Sequence, residues 1–307
     1  MRTAFLDELF QAAAKDKRVN LVVGDLGYSV VERFAEAFPD QFINAGVAEQ
    51  NMTGLAAGMA TTGRIVFIYS IANFLPFRAL EQIRNDLCYH HANVKVVSVG
   101  GGLAYGSLGM THHATEDLAV MRALPGMTVV APGDPIETRL ATRALVRHEG
   151  PAYLRLGKAG EPVVHSVEPD FELGRAITLR GGSDVSIIST GAMLKTAVEA
   201  ADRLTASGLG VQVLSMHTVS PLDVEAVITA ATHARLVVTL EEHSIVGGLG
   251  GAVAEVLAEL PKPHAGFKRL GLPPGFNRVV GDQRYLNSAH GLDVDGVIAS
   301  IRQLLTV

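Results

Sequence analysis

Short apolar segments alternate with helical patterns along nearly the whole chain, and this rhythm limits the fold more than any other feature. Residues 21–23, 65–68, 94–99, 128–131 and 152–156 are rich in β-branched side chains and bounded by Gly, Pro or Asp, so each is expected to be a strand. Helical patterns at 47–60, 74–90, 116–124 and 135–147 separate them. Strands and helices in alternation build a mostly parallel sheet covered on both faces. The rhythm breaks over residues 157–174, where Gly157, Gly160, Pro162 and Pro169 stand among scattered charges. It resumes with strands expected at 185–189, 211–215 and 236–240 and helices at 193–207, 223–232, 251–259 and 293–305. The sequence thus predicts an α/β protein of two domains, 1–165 and 175–307, each a mostly parallel sheet flanked by helices. The length of 307 residues agrees, at roughly 100–200 residues per domain.

Composition removes several function classes. Apolar residues make up 48% and charged residues 19%, which favours buried cores over disorder. The net charge is −5 and no basic run exists, so neither a nucleic-acid groove nor an anionic-membrane footprint is expected. The single cysteine, Cys88, excludes an intrachain disulfide framework and a cysteine-based zinc cluster. Asp7 and Glu8 fall where a signal peptide needs an apolar stretch, and no apolar run approaches the roughly 20 residues of a membrane span. A soluble, cytoplasmic protein is the expectation.

Open parallel sheets bind ligands beyond the carboxyl ends of their strands. The segments there are Gly24-Asp25-Leu26, 70–77, 100–113 and 241–251. None completes a familiar nucleotide motif: Val253 and Tyr105 spoil two incomplete G-x-G-x-x-G runs, and Ala159 follows Gly157-Lys158 where a P-loop needs Ser or Thr. A hydrolase elbow around Ser107 lacks its first glycine.

Four features carry both a structural and a chemical reading. Glu49 enters a helix, where the dipole favours an acid, and would also serve as a carboxylate beside an apolar cleft. Phe74, Phe77 and Leu80 share a helix face, fit for core packing or for a flat wall against an aromatic ligand. Pro76 suits the first turn of that helix. His112 and His113 end a long Gly-rich loop, as structural histidines or as a general acid–base group. The segment 241–251 opens a helix; it would cradle an anion, or its glycines would permit close packing between subunits, and the absence of Lys and Arg within it favours packing or an interface.

Taken together and in order, the segments resemble the C-terminal two-thirds of transketolase and of 1-deoxyxylulose-5-phosphate synthase. They are Val22-Val-Gly-Asp-Leu26, Phe42-Ile-Asn-Ala-Gly-Val-Ala-Glu-Gln-Asn-Met52, Asn73-Phe-Leu-Pro-Phe77, Gly109-Met-Thr-His-His113, Leu124-Pro-Gly-Met-Thr-Val-Val-Ala-Pro132, Met216-His-Thr-Val-Ser-Pro-Leu222 and 241–251. The resemblance implies a thiamine diphosphate-binding fold that takes the pyrimidine end of the cofactor, followed by a transketolase C-terminal domain that mainly supports assembly. It implies that Glu49 hydrogen-bonds N1′ of the aminopyrimidine and favours the imino tautomer, whose nitrogen takes the proton from carbon 2 of the thiazolium. Phe77 would stack on the ring with Phe74 beside it. Leu26 and Val47 would complete the apolar pocket, with Asp25 near the cofactor. His112 would assist the aminopyrimidine and the covalent donor intermediate.

The departures are equally informative. The family binds diphosphate and metal through Gly-Asp-Gly followed by Asn-Asn, and this sequence holds neither. The expectation is therefore half of a split transketolase, moving a two-carbon ketol unit from a ketose to an aldehyde. Mg2+ or Ca2+ would sit on a separate N-terminal-section subunit, within a heterotetramer built on a homodimer contact. Leu108 replaces an acceptor-binding Asp, and Gly100-Gly-Gly102 replaces a His or Arg of members that take sugar phosphates. Lys158 matches a phosphate-binding Arg, so small sugars that are unphosphorylated, sulfonated or otherwise modified stay open as substrates. Two other readings remain: the beta subunit of a 2-oxoacid dehydrogenase decarboxylase component, and a non-catalytic scaffold subunit.

Overall fold

The computed structural model describes residues 1–261 and 264–306. The first half contributes β1 (Val19–Val23), β2 (Phe42–Asn44), β3 (Ile65–Ile71), β4 (Val94–Val99), β5 (Thr128–Val130) and β6 (Ala152–Leu156). The second contributes β7 (Ile177–Arg180), β8 (Val185–Ser189), β9 (Val211–Ser215), β10 (Thr218–Ser220), β11 (Leu236–Ser244) and β12 (Gly266–Leu272). They form two sheets, in the orders β10-β5-β6-β4-β3-β1-β2 and β12-β11-β8-β9-β7. All pairings are parallel except β10 with β5 and β7 with β9. Central strands such as Val94–Val99 are buried on both faces, which accounts for their predominantly apolar composition, Lys95 and Ser98 being the polar exceptions there. No helix among the described residues is long and apolar enough to cross a membrane.

The mostly parallel character holds, yet four strands escape the local pattern: β2, β7 and β10 are short, and β12 carries Gly, Lys and Arg. β10 comes from the second half and pairs antiparallel with β5, Thr218 opposite Val130, so it extends the first sheet. β2 and β7 are likewise short edge strands. The amino-terminal helix Arg2–Lys15 also lacks a clear local signal; it buries Phe5 and Leu9, and Phe5 stacks on Tyr69 of β3.

The single helix expected over 74–90 is three pieces: Leu75–Arg78, Leu80–Gln82 and a π-helical stretch Ile83–Tyr89. Leu75, Ala79, Ile83 and Leu87 are fully buried at strict four-residue spacing. On a 3.6-residue helix that row drifts about 40° per step. The wider turns of Ile83–Tyr89 offset the drift and keep Ile83 and Leu87 in the core.

Segment 241–251 packs within the chain, and its helix N-terminus is already occupied. β11 runs on through Ser244, so Glu241, Glu242 and His243 are buried strand residues rather than a loop. The Glu241 carboxylate accepts from the backbone N–H of Leu249 (2.8 Å) and Gly250 (2.7 Å), filling the helix N-terminus that an external anion would need. A side chain at Gly248 would strike that carboxylate, its Cβ 2.1 Å from Oε2. Burial, opposed by these two backbone donors, raises the Glu241 carboxyl from 4.5 to about 7. A folded-state value above the unfolded one means the native state binds the extra proton. The stability Glu241 contributes is therefore full below pH 4.5 and is lost as pH rises to about 7. Urea titrations at several pH values are expected to show that downward trend weakened in Glu241→Gln; an unchanged slope would refute the assignment.

Candidate active site

β2 and β3 lie on opposite sides of β1, so a crevice opens beyond the carboxyl ends of β1 and β3. Three loops converge there. Asn44 knits the first two: its Oδ1 accepts from the N–H of Asp25 (3.1 Å) and Gly46 (3.0 Å), and its Nδ2 donates to Asp25 Oδ1 (2.9 Å). Asp25 takes a positive φ of 52°, which the short polar Asp side chain tolerates better than most. This turn delivers Glu49 as the first residue of the helix Glu49–Thr61, only 5% exposed.

The chain leaving β3 presents the aromatic wall. Phe74 caps the helix Leu75–Arg78, and Pro76 sits in its first turn, where the missing N–H costs nothing. Asn73 Nδ2 donates to the Thr111 carbonyl at 2.5 Å, tying this wall to the loop after β4. That loop is closed at its base by reciprocal bonds between Gly102 and Ala114 (2.8 and 3.0 Å) and by Leu103 N–H donating to Glu242 Oε1 at 2.6 Å. Gly102 has φ +67° and faces Glu242 so closely that a Cβ would lie 2.3 Å from its Oε1. At the loop's end the His112 ring lies edge-on to both Phe74 and Tyr105, its centroid 5.3 and 6.1 Å from theirs.

These walls enclose a cavity of about 680 Å³ lined by Phe74, Phe77, Arg78, Met110, His112 and Phe276, among others. Its size suits a small-molecule ligand. Glu49 stands behind Arg78: Arg78 Nη1 donates to Glu49 Oε1 at 2.8 Å, and Glu49 itself does not line the cavity. Among the described residues Glu49 Oε2 takes part in no hydrogen bond. Two aromatic faces, a buried carboxylate with a free oxygen and an imidazole match the needs of an aminopyrimidine ring. Among the described residues no group of three or more His, Cys, Asp or Glu is placed to hold a metal ion.

The structure thus gathers Phe74, Phe77 and His112 on one cavity with Glu49 adjoining. Asp25, Leu26, Val47, Leu108 and Lys158 lie outside its lining. Val47 is 70% and Leu108 55% exposed, and Lys158 Nζ lies 5.2 Å over the Tyr105 ring, two side chains from His112. Both histidines line the cavity, His112 at the rim and His113 buried, with the His113 Nε2 donating to the Gly106 carbonyl at 2.9 Å. Arg78, Met110, Phe276 and Asn277 join the cavity beyond the residues expected from sequence. Arg78 was legible as the neighbour of Phe77; Phe276 and Asn277 come from the second half and left no local signal.

Comparison with known proteins bears on this arrangement. The profile of the transketolase pyrimidine binding domain matches residues 1–160, and that of the transketolase C-terminal domain matches 174–297. A subunit of the apulose-4-phosphate transketolase of Phocaeicola vulgatus is 40% identical, over 96% of this chain and 94% of its own. The 6-deoxy-6-sulfo-D-fructose transketolase subunit SqwH of Clostridium sp. is 38% identical, over 99% and 94%. Against the 1-deoxy-D-xylulose-5-phosphate synthase of Heliobacterium modesticaldum, 35% identical, the match covers 98% of this chain but only 46% of the synthase. A solved structure described as a split gene transketolase, inactive beta4 tetramer, superposes with a TM-score of 0.88 at 40% identity, covering 99% of this chain and 97% of that one. The chain belongs to the transketolase family, of which it carries the pyrimidine-binding and C-terminal domains.

Proposed function

We propose that this chain is the pyrimidine-binding subunit of a split, thiamine diphosphate-dependent transketolase that moves a two-carbon ketol unit from a ketose to an aldehyde. The observation that carries this reading is the meeting of two aromatic side chains and an imidazole on one cavity, with a buried carboxylate bonded to Arg78 of the same cavity wall. Glu49 would hold the aminopyrimidine nitrogen through Oε2, in a setting where exclusion of water strengthens the bond. Phe77, with Phe74, would flank the ring face. His112 at the rim would hydrogen-bond the donor oxygen on which charge develops. When bound, the cofactor supplies the carbon nucleophile that carries the two-carbon unit. Leu26, Val47 and Asp25 would complete the pocket's edge once a partner covers it. Leu108 and Lys158 would face the outer end of the substrate, Lys158 as a point charge for an anionic group.

The diphosphate and its Mg2+ or Ca2+ would belong to an N-terminal-section subunit in the cytoplasm, two copies of each chain forming a symmetric heterotetramer. Support comes from the absence of Gly-Asp-Gly and Asn-Asn in the sequence and from relatives of matching length that are named as subunits. The names of two relatives carry a phosphate and a sulfo group on the sugar, which favours an anionic sugar here. The scaffold reading would gain if Glu49 were paired with a buried cation, but its partner Arg78 is 49% exposed.

The test is reconstitution. The chain mixed with a subunit carrying the diphosphate motif, thiamine diphosphate and Mg2+ should catalyse ketol transfer, and decarboxylation of a 2-oxoacid without ketol transfer would overturn the proposal. Calorimetry on the chain alone is expected to find thiamine diphosphate bound only weakly. Submicromolar affinity would contradict the split-enzyme reading.

A further inference from the structure

We propose that Arg78 occupies the seat of the aminopyrimidine ring while the ring is absent, and must leave it for Glu49 to be reached. The proposal rests on the reading of Glu49 and Phe74 as partners of that ring. Arg78 ends the short helix Leu75–Arg78. Its guanidinium carbon lies 4.2 Å from the centroid of the Phe74 ring, and its Nη1 donates to Glu49 Oε1 at 2.8 Å. It lines the cavity whereas Glu49 does not, so the guanidinium stands between carboxylate and cavity.

A guanidinium is flat and directs its N–H donors outward in its own plane. Lying against an aromatic ring while donating edge-on to a carboxylate, it makes the two contacts an aminopyrimidine would make with the same residues. Both cannot be made in one place, and a ring entering through the cavity meets Arg78 first. Displacement is easy. The Arg78 side chain is 49% exposed, so its ion pair and its cation–π contact are both of the weaker, solvent-screened kind. The arrangement also serves the empty chain: Glu49 is only 5% exposed, and without Arg78 its buried carboxylate would have no partner among the described residues.

Thiamine, which has the pyrimidine but no diphosphate, is the probe. It is titrated into the full chain and followed by NMR through its pyrimidine protons. Arg78→Met keeps the apolar stem and removes the donor. It is expected to bind thiamine about tenfold more tightly than the parent, the combined effect of losing two weak competing contacts, and to melt at lower temperature without ligand. Equal or weaker binding, including no detectable binding by either protein, overturns the proposal, since Arg78 would then support Glu49 rather than replace its ligand. Glu49→Gln in the Arg78→Met background separates the two levels of inference. If it leaves thiamine binding unchanged, the assignment of Glu49 to the ring fails whatever Arg78 does.

Discussion

Glu49→Gln is expected to lower ketol transfer by about 10²–10⁴-fold in the enzyme assembled with its diphosphate-binding partner, the range spanned by general acid–base groups. Glutamine keeps the shape of the side chain and one acceptor oxygen but carries no negative charge. The change should leave the fold almost untouched. The only side-chain bond of Glu49 among the described residues is to the half-exposed Arg78, and ion pairs of that kind contribute about 1 kcal/mol or less. Steady-state kinetics on the reconstituted enzyme, beside a thermal melt of each subunit, distinguish a chemical defect from an unfolded one. Full activity in Glu49→Gln would remove Glu49 from the mechanism while leaving the family assignment intact.

The largest loss of stability is expected from Asp117→Ala, a residue outside the proposed chemistry. Asp117 is fully buried at the start of the helix Asp117–Arg122. Its carboxylate accepts from Tyr153 Oη (2.6 Å), Arg155 Nε (2.8 Å) and Arg155 Nη2 (3.2 Å). The same Arg155 Nη2 donates to the carbonyls of Ala114 and Glu242, at 2.9 and 3.0 Å. One guanidinium thus joins β6, the end of the His112 loop and β11 of the second half. Burial, with the adjacent Asp117 charge, raises the Tyr153 phenol well above its ordinary value, so it stays a donor across the working range of pH. Removing Asp117 strands a buried guanidinium without its directly bonded carboxylate, which costs about 3–5 kcal/mol. The melting temperature should fall on the order of 10 °C. Tyr153→Phe, which removes one bond and no charge, should cost about 1 kcal/mol. Equal losses in the two variants would mean that the ion pair is not the stabilising element.

How far the sequence reached depends on the range of the interactions involved. β4, β6, β8 and β9 have the limits expected from composition, because strands buried on both faces are predominantly apolar and β-branched even where single polar residues such as Lys95 and Arg155 interrupt them. β11 runs past its expected end, since its last residues include Glu241, Glu242 and His243. Charged residues read as a loop until their partners are known: here the N-terminus of the helix Leu249–Glu259 for Glu241, and Leu103, Gln283 and Asn287 for Glu242. In the candidate site, Phe74, Phe77, His112 and Glu49 were legible from local motifs at strand ends. The role of Arg78 was not, because its importance lies in two contacts, to Glu49 and to Phe74, that only the fold brings about.

The sequence by itself determined the alternation of strand and helix, the two-domain layout and the membership of the family, all of which rest on local periodicity and short ordered motifs. The tertiary structure alone decided that β10 from the second half completes the first sheet, that Phe276 joins the cavity wall, and that Arg155 and Glu242 lock the halves together. Each of these depends on groups that meet across a long stretch of chain, such as Leu103 and Glu242, 139 residues apart. Hydrophobic periodicity records which face of an element is buried, but not which distant element buries it. That choice is made by shape and by the pairing of buried polar groups once the chain has folded.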